Sequence, residues 1–150
     1  MIDNNLKDCR EDLDMTQTEL GEILGVKKAT ISNWENGYDI IPFSKLIKFC
    51  DLYDYSIDYV VGLTRRNKKY NKIGNIDKKE VGKKLKNLRK KLGFTQQKMA
   101  DECAISREAY SHYEIGMNLV STITIYTILK KHNISIDSFL RNSEIDIKNK

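Results

Sequence analysis

An all-α fold, built as two tandem five-helix domains joined by a basic linker, is what this sequence predicts. Three observations carry the prediction. Apolar residues recur at the i, i+3, i+4, i+7 spacing of amphipathic helices along both halves of the 150 residues,. One proline and eight glycines argue against a turn-rich β protein. Above all, the stretch T-Q-T-E-L-G-E-I-L-G-V-K-K-A-T-I-S-N-W-E-N-G at 16–37 returns 79 residues later as T-Q-Q-K-M-A-D-E-C-A-I-S-R-E-A-Y-S-H-Y-E-I-G at 95–116. The register continues outside it without a gap: Leu6-Lys7 matches Leu85-Lys86, Arg10 matches Arg89, Leu13 matches Leu92, and Ser56-Ile57-Asp58 matches Ser135-Ile136-Asp137. A repeat at fixed offset means two copies of one small unit. The expected division is a first domain at 1–63, a basic linker at 64–76, a second domain at 77–141 and a polar tail at 142–150.

The first helix is expected from about Asn4 to Leu13, with Leu6, Cys9 and Leu13 on one stripe. Thr16 then caps a helix reaching Leu24, and Glu19 completes a capping box. Leu20, Ile23 and Leu24 share its inner face, and Gly25 supplies the left-handed residue that ends it. A third helix follows from Lys28 to Glu35. Ile31 and Trp34 point inward, so Lys28, Ala29, Ser32 and Asn33 point out. Two short helices around a tight glycine turn, the second with a polar outer face, form a helix-turn-helix arrangement. A fourth helix over Phe43–Tyr53 buries Leu46, Phe49, Cys50 and Tyr53. Ser56 caps a short fifth, whose Ile57, Val60 and Val61 close the core.

Residues 65–75 show no apolar periodicity and read as a spacer. The 14 residues from 63 to 76 reach at most about 45 Å, with an r.m.s. span near 20 Å if flexible. The second copy starts at Asp77, an N-cap with Glu80 at the capping-box position and an Ile76–Val81 staple. Val81, Leu85, Leu88 and Leu92 form its first stripe. Ile125, Ile128, Leu129 and His132 repeat the fourth helix, and Ser135, Ile136, Phe139 and Leu140 the fifth. Two local departures stand out. Ala104 replaces the turn glycine, at about 1 kcal/mol if the left-handed conformation is kept, and Lys98 replaces the capping-box glutamate. Four apolar loop residues, Ile40, Ile41, Leu119 and Val120, would leave exposed patches and are expected to cover one another between copies or between chains.

Composition bounds the function. No signal peptide and no apolar run of about 20 residues is present, so a cytoplasmic protein without a membrane segment is expected. Cys9, Cys50 and Cys103 form no C-x-x-C pair and sit at apolar helical positions, as small buried hydrophobes of a reducing compartment. Charge is unevenly spread: 1–62 carries −6, 63–84 carries +7 and 85–150 carries +4. The linker and second copy are where attraction to phosphate is strongest. No G-x-S-x-G, phosphate loop or H-E-x-x-H occurs. His112 and His132 have no second ligand at metal spacing. The expectation is a non-enzyme with no cofactor and no metal.

The residues Thr16-Gln17-Leu20, Gly25-Val26 and Trp34-Glu35-Gly37 resemble the phage-repressor and Cro-like helix-turn-helix family, often called XRE, whose pattern is T-Q-x-x-L-A, a G-V turn, then a polar helix ending W/Y-E-x-G. The resemblance covers both copies and implies lambda-repressor-like domains that place the second helix of the motif in the major groove of duplex DNA. Carried over by position, Gln17 would lie against phosphate, Lys27 and Lys28 at the start of the recognition helix, and Lys28, Ala29 and Asn33 on base edges. In the second copy the matching residues are Gln96, Ser106, Arg107, Glu108 and His112. Lys or Arg pairs with guanine, Asn with adenine, and Glu accepts from cytosine. The loops after both recognition helices depart from the family, which often carries cations there; neither loop has one. Linker cations Arg65, Arg66, Lys68 and Lys69, with Lys72 and Tyr70 among them, are either phosphate contacts or a solvated spacer.

The reading is a sequence-specific, double-stranded-DNA-binding transcriptional regulator, a repressor by preference. It acts as a homodimer or as a pseudo-dimer through its two copies, whose differing helices imply differing half-sites. The rival is an interaction module, antitoxin-like or antirepressor-binding, in which the acidic first copy binds a protein and only the second touches DNA.

Overall fold

The repeat in the sequence is a repeat in structure. A computed structural model describes residues 4–141, and the chain divides into two units, Met1–Gly74 and Asn75–Lys150. The first holds α1 (Leu6–Asp12), α2 (Gln17–Leu24), α3 (Lys28–Glu35), α4 (Phe43–Tyr53) and α5 (Ile57–Val60). The second holds α6 (Lys78–Leu92), α7 (Gln96–Cys103), α8 (Arg107–Glu114), α9 (Thr122–Lys131) and α10 (Ile136–Leu140). No strand occurs among the described residues. The tail expected at 142–150 lies outside them.

In the first unit, α2 starts at the capping box read from the sequence: the Glu19 N–H donates to the Thr16 hydroxyl and the Thr16 N–H to the Glu19 carboxylate. Gly25 ends the helix at φ 73°. The last carbonyls of a helix have no partner within it and concentrate partial negative charge. Here Lys45 and Lys48 of α4 reach back to the carbonyls of Leu24 and Ile23, at 2.8 and 3.0 Å. Leu20, Leu24, Ile31, Trp34, Leu46 and Phe49 make the buried centre. Helix α1 is shorter than its pattern suggested. Asn4 and Asn5 stay outside it and use their side-chain amides on the carbonyls of Trp34 and Tyr59, the competition with helix that asparagine favours.

The spacer is not a free tether. The Asn67 side chain accepts from the Ser56 N–H and donates to the Asp54 carbonyl, at 2.7 and 3.0 Å. The Asp51 carboxylate accepts from the N–H groups of Ile73 and Gly74, at 2.9 and 2.8 Å, and Lys72 donates to the Asp51 carbonyl. Residues 67–74 therefore lie along the end of α4 as a strap of the first unit. The flexible-coil span estimated for the whole spacer does not apply to them. Sequence periodicity misses such a segment because polar side chains on backbone hold it, with no apolar stripe.

In the second unit, α6 is 15 residues long against 7 for α1. Asp77 caps it through the Lys79 N–H. The reciprocal bond expected from Glu80 is not made; its carboxylate lies 3.5 Å from Lys83 Nζ. Thr95 caps α7, and with lysine at position 98 only half of the first unit's box is formed. The left-handed positions repeat even where residues do not: Asp14 and Gly93, Gly25 and Ala104, Asp54 and Asn133, Gly37 and Gly116 all have φ between 55° and 79°. His132, in the place of Tyr53, is a satisfied side chain: its Nε2 lies 2.7 Å from Glu102 and its ring packs edge-on to Phe94.

One expectation is corrected. Ile41 and Val120 are 7% and 2% exposed; both are core residues, so no covering contact is needed to hide them. Ile40 and Leu119 are half-buried. Cys9 and Cys50 are buried and Cys103 half-buried, all as free thiols. Burial pushes the Cys9 thiol up to about 12 and that of Cys103 to about 11, so both stay protonated near neutral pH.

Ala104 holds φ 57°, a conformation worth roughly 1–2 kcal/mol against an L side chain. Ala104→Gly is expected to stabilise the second unit by about 1 kcal/mol once the extra freedom of unfolded glycine is subtracted. Denaturant unfolding followed by circular dichroism checks it; an unchanged or lower midpoint contradicts the strain assignment.

Candidate nucleic-acid interface

The outward face of α3 is set by what its inward face is tied to. Ile31 and Trp34 are buried, which turns Lys28, Ala29 and Asn33 to solvent, with Lys27 exposed at the N-cap and Ser32 half-buried. At the C-terminal end of α3 the Glu35 side chain is 1% exposed. Arg10 of α1 meets it in a two-pronged pair, Nε to Oε2 at 2.6 Å and Nη2 to Oε1 at 3.0 Å. The remaining Arg10 nitrogen donates to the Met15 carbonyl at 2.8 Å. Gln17, the first residue of α2, donates to Glu35 Oε1 at 3.0 Å. One buried carboxylate thus fixes the end of α1, the start of α2 and the end of α3.

The second unit repeats this lock. Arg89 pairs with Glu114 at 2.6 and 3.1 Å, donates to the Phe94 carbonyl at 3.0 Å, and Gln96 donates to Glu114 at 3.1 Å. Tyr110 stands where Ile31 does and is fully buried; its hydroxyl lies against the same carboxylate, though without ideal hydrogen-bond geometry. Burial alone would raise the Glu114 carboxyl, but the hydrogen bonds from Arg89 and Gln96, the adjacent Tyr110 hydroxyl and the Arg89 charge outweigh it and hold the group below the usual carboxylate range. The sequence showed all three members as repeat positions. It gave no sign that they touch, because they lie 18 and 25 residues apart.

The predicted contact residues are distributed unevenly around this frame. Arg107 and Glu108 are exposed at the start of α8, and His112 is half-buried one turn later. Ser106 is exposed but caps α8 by accepting from the Ala109 N–H; its own O–H remains a donor. Arg107 Nη1 donates to Gln96 Oε1 at 3.3 Å, so Gln96 bridges the lock and the outer face. Gln17 and Gln96 each spend one amide N–H on the lock and retain one. Linker residues Arg65, Arg66, Lys68 and Lys69 are exposed on the first unit. Lys68 stacks on Tyr70 at 5.2 Å, and Lys69 lies 4.0 Å from Asp54. Residues 63–74 carry five cations and no acid, so the first unit, taken to Gly74, is nearly neutral. The loops after α3 and α8 fold back onto the carbonyls of Asn33 and His112, and leave Tyr38, Ile115 and Met117 exposed. Among the described residues no group of His, Cys, Asp and Glu is arranged to hold a metal, and no helix is long and apolar enough to cross a membrane.

Two helices set by a glycine or alanine turn, the second presenting a polar face over a locked base, define a helix-turn-helix domain, and this chain carries two. The chain carries two helix-turn-helix domains in tandem: a family described as "Helix-turn-helix" matches residues 6–60, and one described as "Helix-turn-helix domain" matches residues 82–145. It is similar to an uncharacterized HTH-type transcriptional regulator, YobD, of Bacillus subtilis (strain 168), 33% identical over 43% of this chain and 57% of that protein. It is similar also to the HTH-type transcriptional regulator ImmR of the same organism, 33% identical over 46% of this chain and 54% of that protein. The chain thus spans about half the length of these curated relatives.

Removing either arginine leaves a buried carboxylate without its cation, a change of roughly 3–5 kcal/mol. Arg10→Ala is expected to lower the unfolding midpoint reported by Trp34, the chain's single tryptophan, and a loss under about 1 kcal/mol contradicts the lock. Because the Glu114 pKa is lowered on folding, its contribution is full above the unfolded glutamate value, near 4.5, and is lost as pH falls through the lower folded value. Glu114→Gln should flatten that acid limb in a pH series of denaturant melts; an unaltered limb contradicts the assignment.

Proposed function

We infer that this chain is a non-catalytic, cytoplasmic transcriptional regulator that binds double-stranded DNA in a sequence-specific way and acts as a repressor. The observation that carries the reading is the pair of locked helices, each with an exposed cation at its N-terminal end and further polar side chains on its outer face. Lys27 at the N-cap and Lys28 open α3, with Asn33 exposed further along; Arg107 opens α8 beside exposed Glu108, with His112 half-buried one turn on. An α-helix fits the major groove, where Arg or Lys reads guanine, Asn reads adenine and Glu accepts from cytosine. In the first unit Arg10 is bound to Glu35, and Lys45 and Lys48 to the end of α2. Lys27 and Lys28 are therefore the cations that its recognition helix has to offer. Because the two faces carry different side chains, the two half-sites of an operator differ in sequence. The names of the two regulators described above support a role in transcription.

The rival reading, an interaction module, leaned on the acidity of the first copy. The strap at 67–74 lies on that copy, and residues 63–74 carry their five cations into it, which favours DNA for both units over a basic protein partner for the first.

The test is binding of the full chain to random and selected duplex across a salt series. Affinity should fall steeply from low to moderate salt, since each phosphate contact contributes about 0.9 to the slope of log K against log salt. Arg107→Ala should relax the preference at one position of one half-site, by roughly 1–3 kcal/mol, and leave the other half-site unchanged. Arg65→Ala with Arg66→Ala should weaken every sequence about equally if the linker touches phosphate, with a slope smaller by roughly one per contact. Absence of binding at low salt overturns the function. Uniform loss in the Arg107 variant overturns that residue's reading role.

A further inference from the structure

We propose that Lys78 and Lys79, in the first turn of α6, supply the phosphate contact that the loop after α8 does not carry. The inference rests on the reading of α8 as the groove-entering helix. An eight-residue helix is about 12 Å long, close to the roughly 12 Å width of the major groove, so both of its ends come near the phosphates that wall the groove. At its N-terminal end stands Arg107. At its C-terminal end the chain runs Ile115-Gly116-Met117-Asn118 without a cation, and Ile115 and Met117 are exposed there at 60% and 53%.

Helix α6 closes that gap from elsewhere in the sequence. Lys78 Nζ donates to the Met117 carbonyl at 3.2 Å. Lys79 crosses the backbone of Gly116 so closely that a Cβ there would stand 2.6 Å from the Lys79 Cγ and 2.7 Å from its Cα. One turn on, Gly82 lies flush against the carbonyls of Tyr113 and Glu114, where a Cβ would meet backbone. The first turns of α6 therefore lie directly against the end of α8, with no room for a side chain at Gly82 or Gly116. Asp77 holds the Lys79 N–H at 2.9 Å and fixes the start of the helix. Both lysines are exposed. An ammonium has three donors; Lys78 spends one on Met117 and keeps two for a phosphate oxygen. Such contacts position the domain on the duplex without reading sequence.

The experiment uses the full chain on duplex DNA in a salt series, comparing wild type with Lys78→Gln/Lys79→Gln and with Lys130→Gln/Lys131→Gln, which removes the same charge from α9. The α6 variant should bind all sequences more weakly by the same factor, keep its half-site preference, and show a salt slope shallower by about two. The α9 variant should keep a slope close to wild type. Equal slopes in wild type and the α6 variant overturn the proposal while leaving the DNA-binding function standing. Equal losses in both variants also overturn it, because only net charge would then be at work. A wild-type chain that binds no duplex removes the function on which the proposal rests, and with it the proposal. Circular dichroism melts separate lost contact from lost fold: an α6 variant that binds weakly but melts as wild type supports the assignment. If it melts early, Lys79→Arg, which keeps the charge and the stem, must restore the slope; failure to do so overturns it.

Discussion

One buried carboxylate in each unit carries the geometry of that unit. Glu35 and Glu114 sit at the C-terminal ends of their recognition helices, where the backbone already concentrates partial negative charge. A carboxylate buried there is unfavourable unless its charge and lone pairs are met. The arginine fork meets the charge with two parallel bonds, a geometry lysine does not offer, and the glutamine amide takes a further lone pair. Three helix ends are brought to one point by a requirement that none can satisfy alone. Deleting the group together with its partners for apolar residues need not reduce stability; what the arrangement adds is a single allowed angle between α2 and α3, and between α7 and α8. A helix that is to place side chains on base edges to within a fraction of an ångström needs that angle fixed before it meets its target.

Around identical locks the two units have diverged in ways that keep backbone and change chemistry. The left-handed residue after α2 is Gly25 and after α7 is Ala104, yet both keep the left-handed conformation, at φ 73° and 57°. The Ala104 and Ile105 N–H groups still close the turn on the carbonyls of Asp101 and Ala100, so the turn is kept at the strain of an L residue. The carbonyls ending α2 are met by Lys45 and Lys48, whereas in the second unit Lys131 reaches the Glu102 carbonyl. The physical demand at a helix end is conserved between copies and the residue that answers it is not. On the outer faces of α3 and α8 Ser32 and Ser111 match, while Lys28, Ala29 and Asn33 give way to Arg107, Glu108 and His112.

How much was legible follows from the range of each interaction. Helices α2 and α3 appear at the residues read from Thr16, Gly25 and the Ile31–Trp34 spacing, because caps and apolar periodicity act within a few residues. The same holds for Ser56 and Ser135, whose hydroxyls cap α5 and α10 as expected. The Arg10–Glu35–Gln17 lock was present in the repeat but silent, since three charged or polar residues at matching offsets carry no periodicity. The strap at 67–74 was read as a spacer for the same reason: Asn67 and Asp51 hold it through single backbone groups. Ile41 and Val120 looked exposed because they lie between helices, where spacing says nothing about depth.

The strap also bears on how charge is distributed, which matters more to a nucleic-acid binder than the net value of +5. Counted by sequence blocks, the first copy is acidic and the spacer basic, as if repulsion kept the spacer extended. In the folded chain Asp54, just after α4, lies near Lys69, Lys72 donates to the Asp51 backbone carbonyl, and the Asp51 carboxylate takes the Ile73 and Gly74 N–H groups, which holds the strap onto the first unit. Acidic residues that would repel phosphate are thereby faced by cations, and Arg65, Arg66 and Lys68 remain exposed on the same body as Lys27 and Lys28. Screening confines such fields to about 8–10 Å at physiological salt, so what counts is which cations share a surface with the recognition helix. In the second unit Arg107 is exposed at the start of α8 and Lys78 and Lys79 at the start of α6; in the first, Lys27 and Lys28 are exposed at the start of α3. The acidic first copy therefore differs from the basic second in where its cations come from rather than in whether its recognition helix has any.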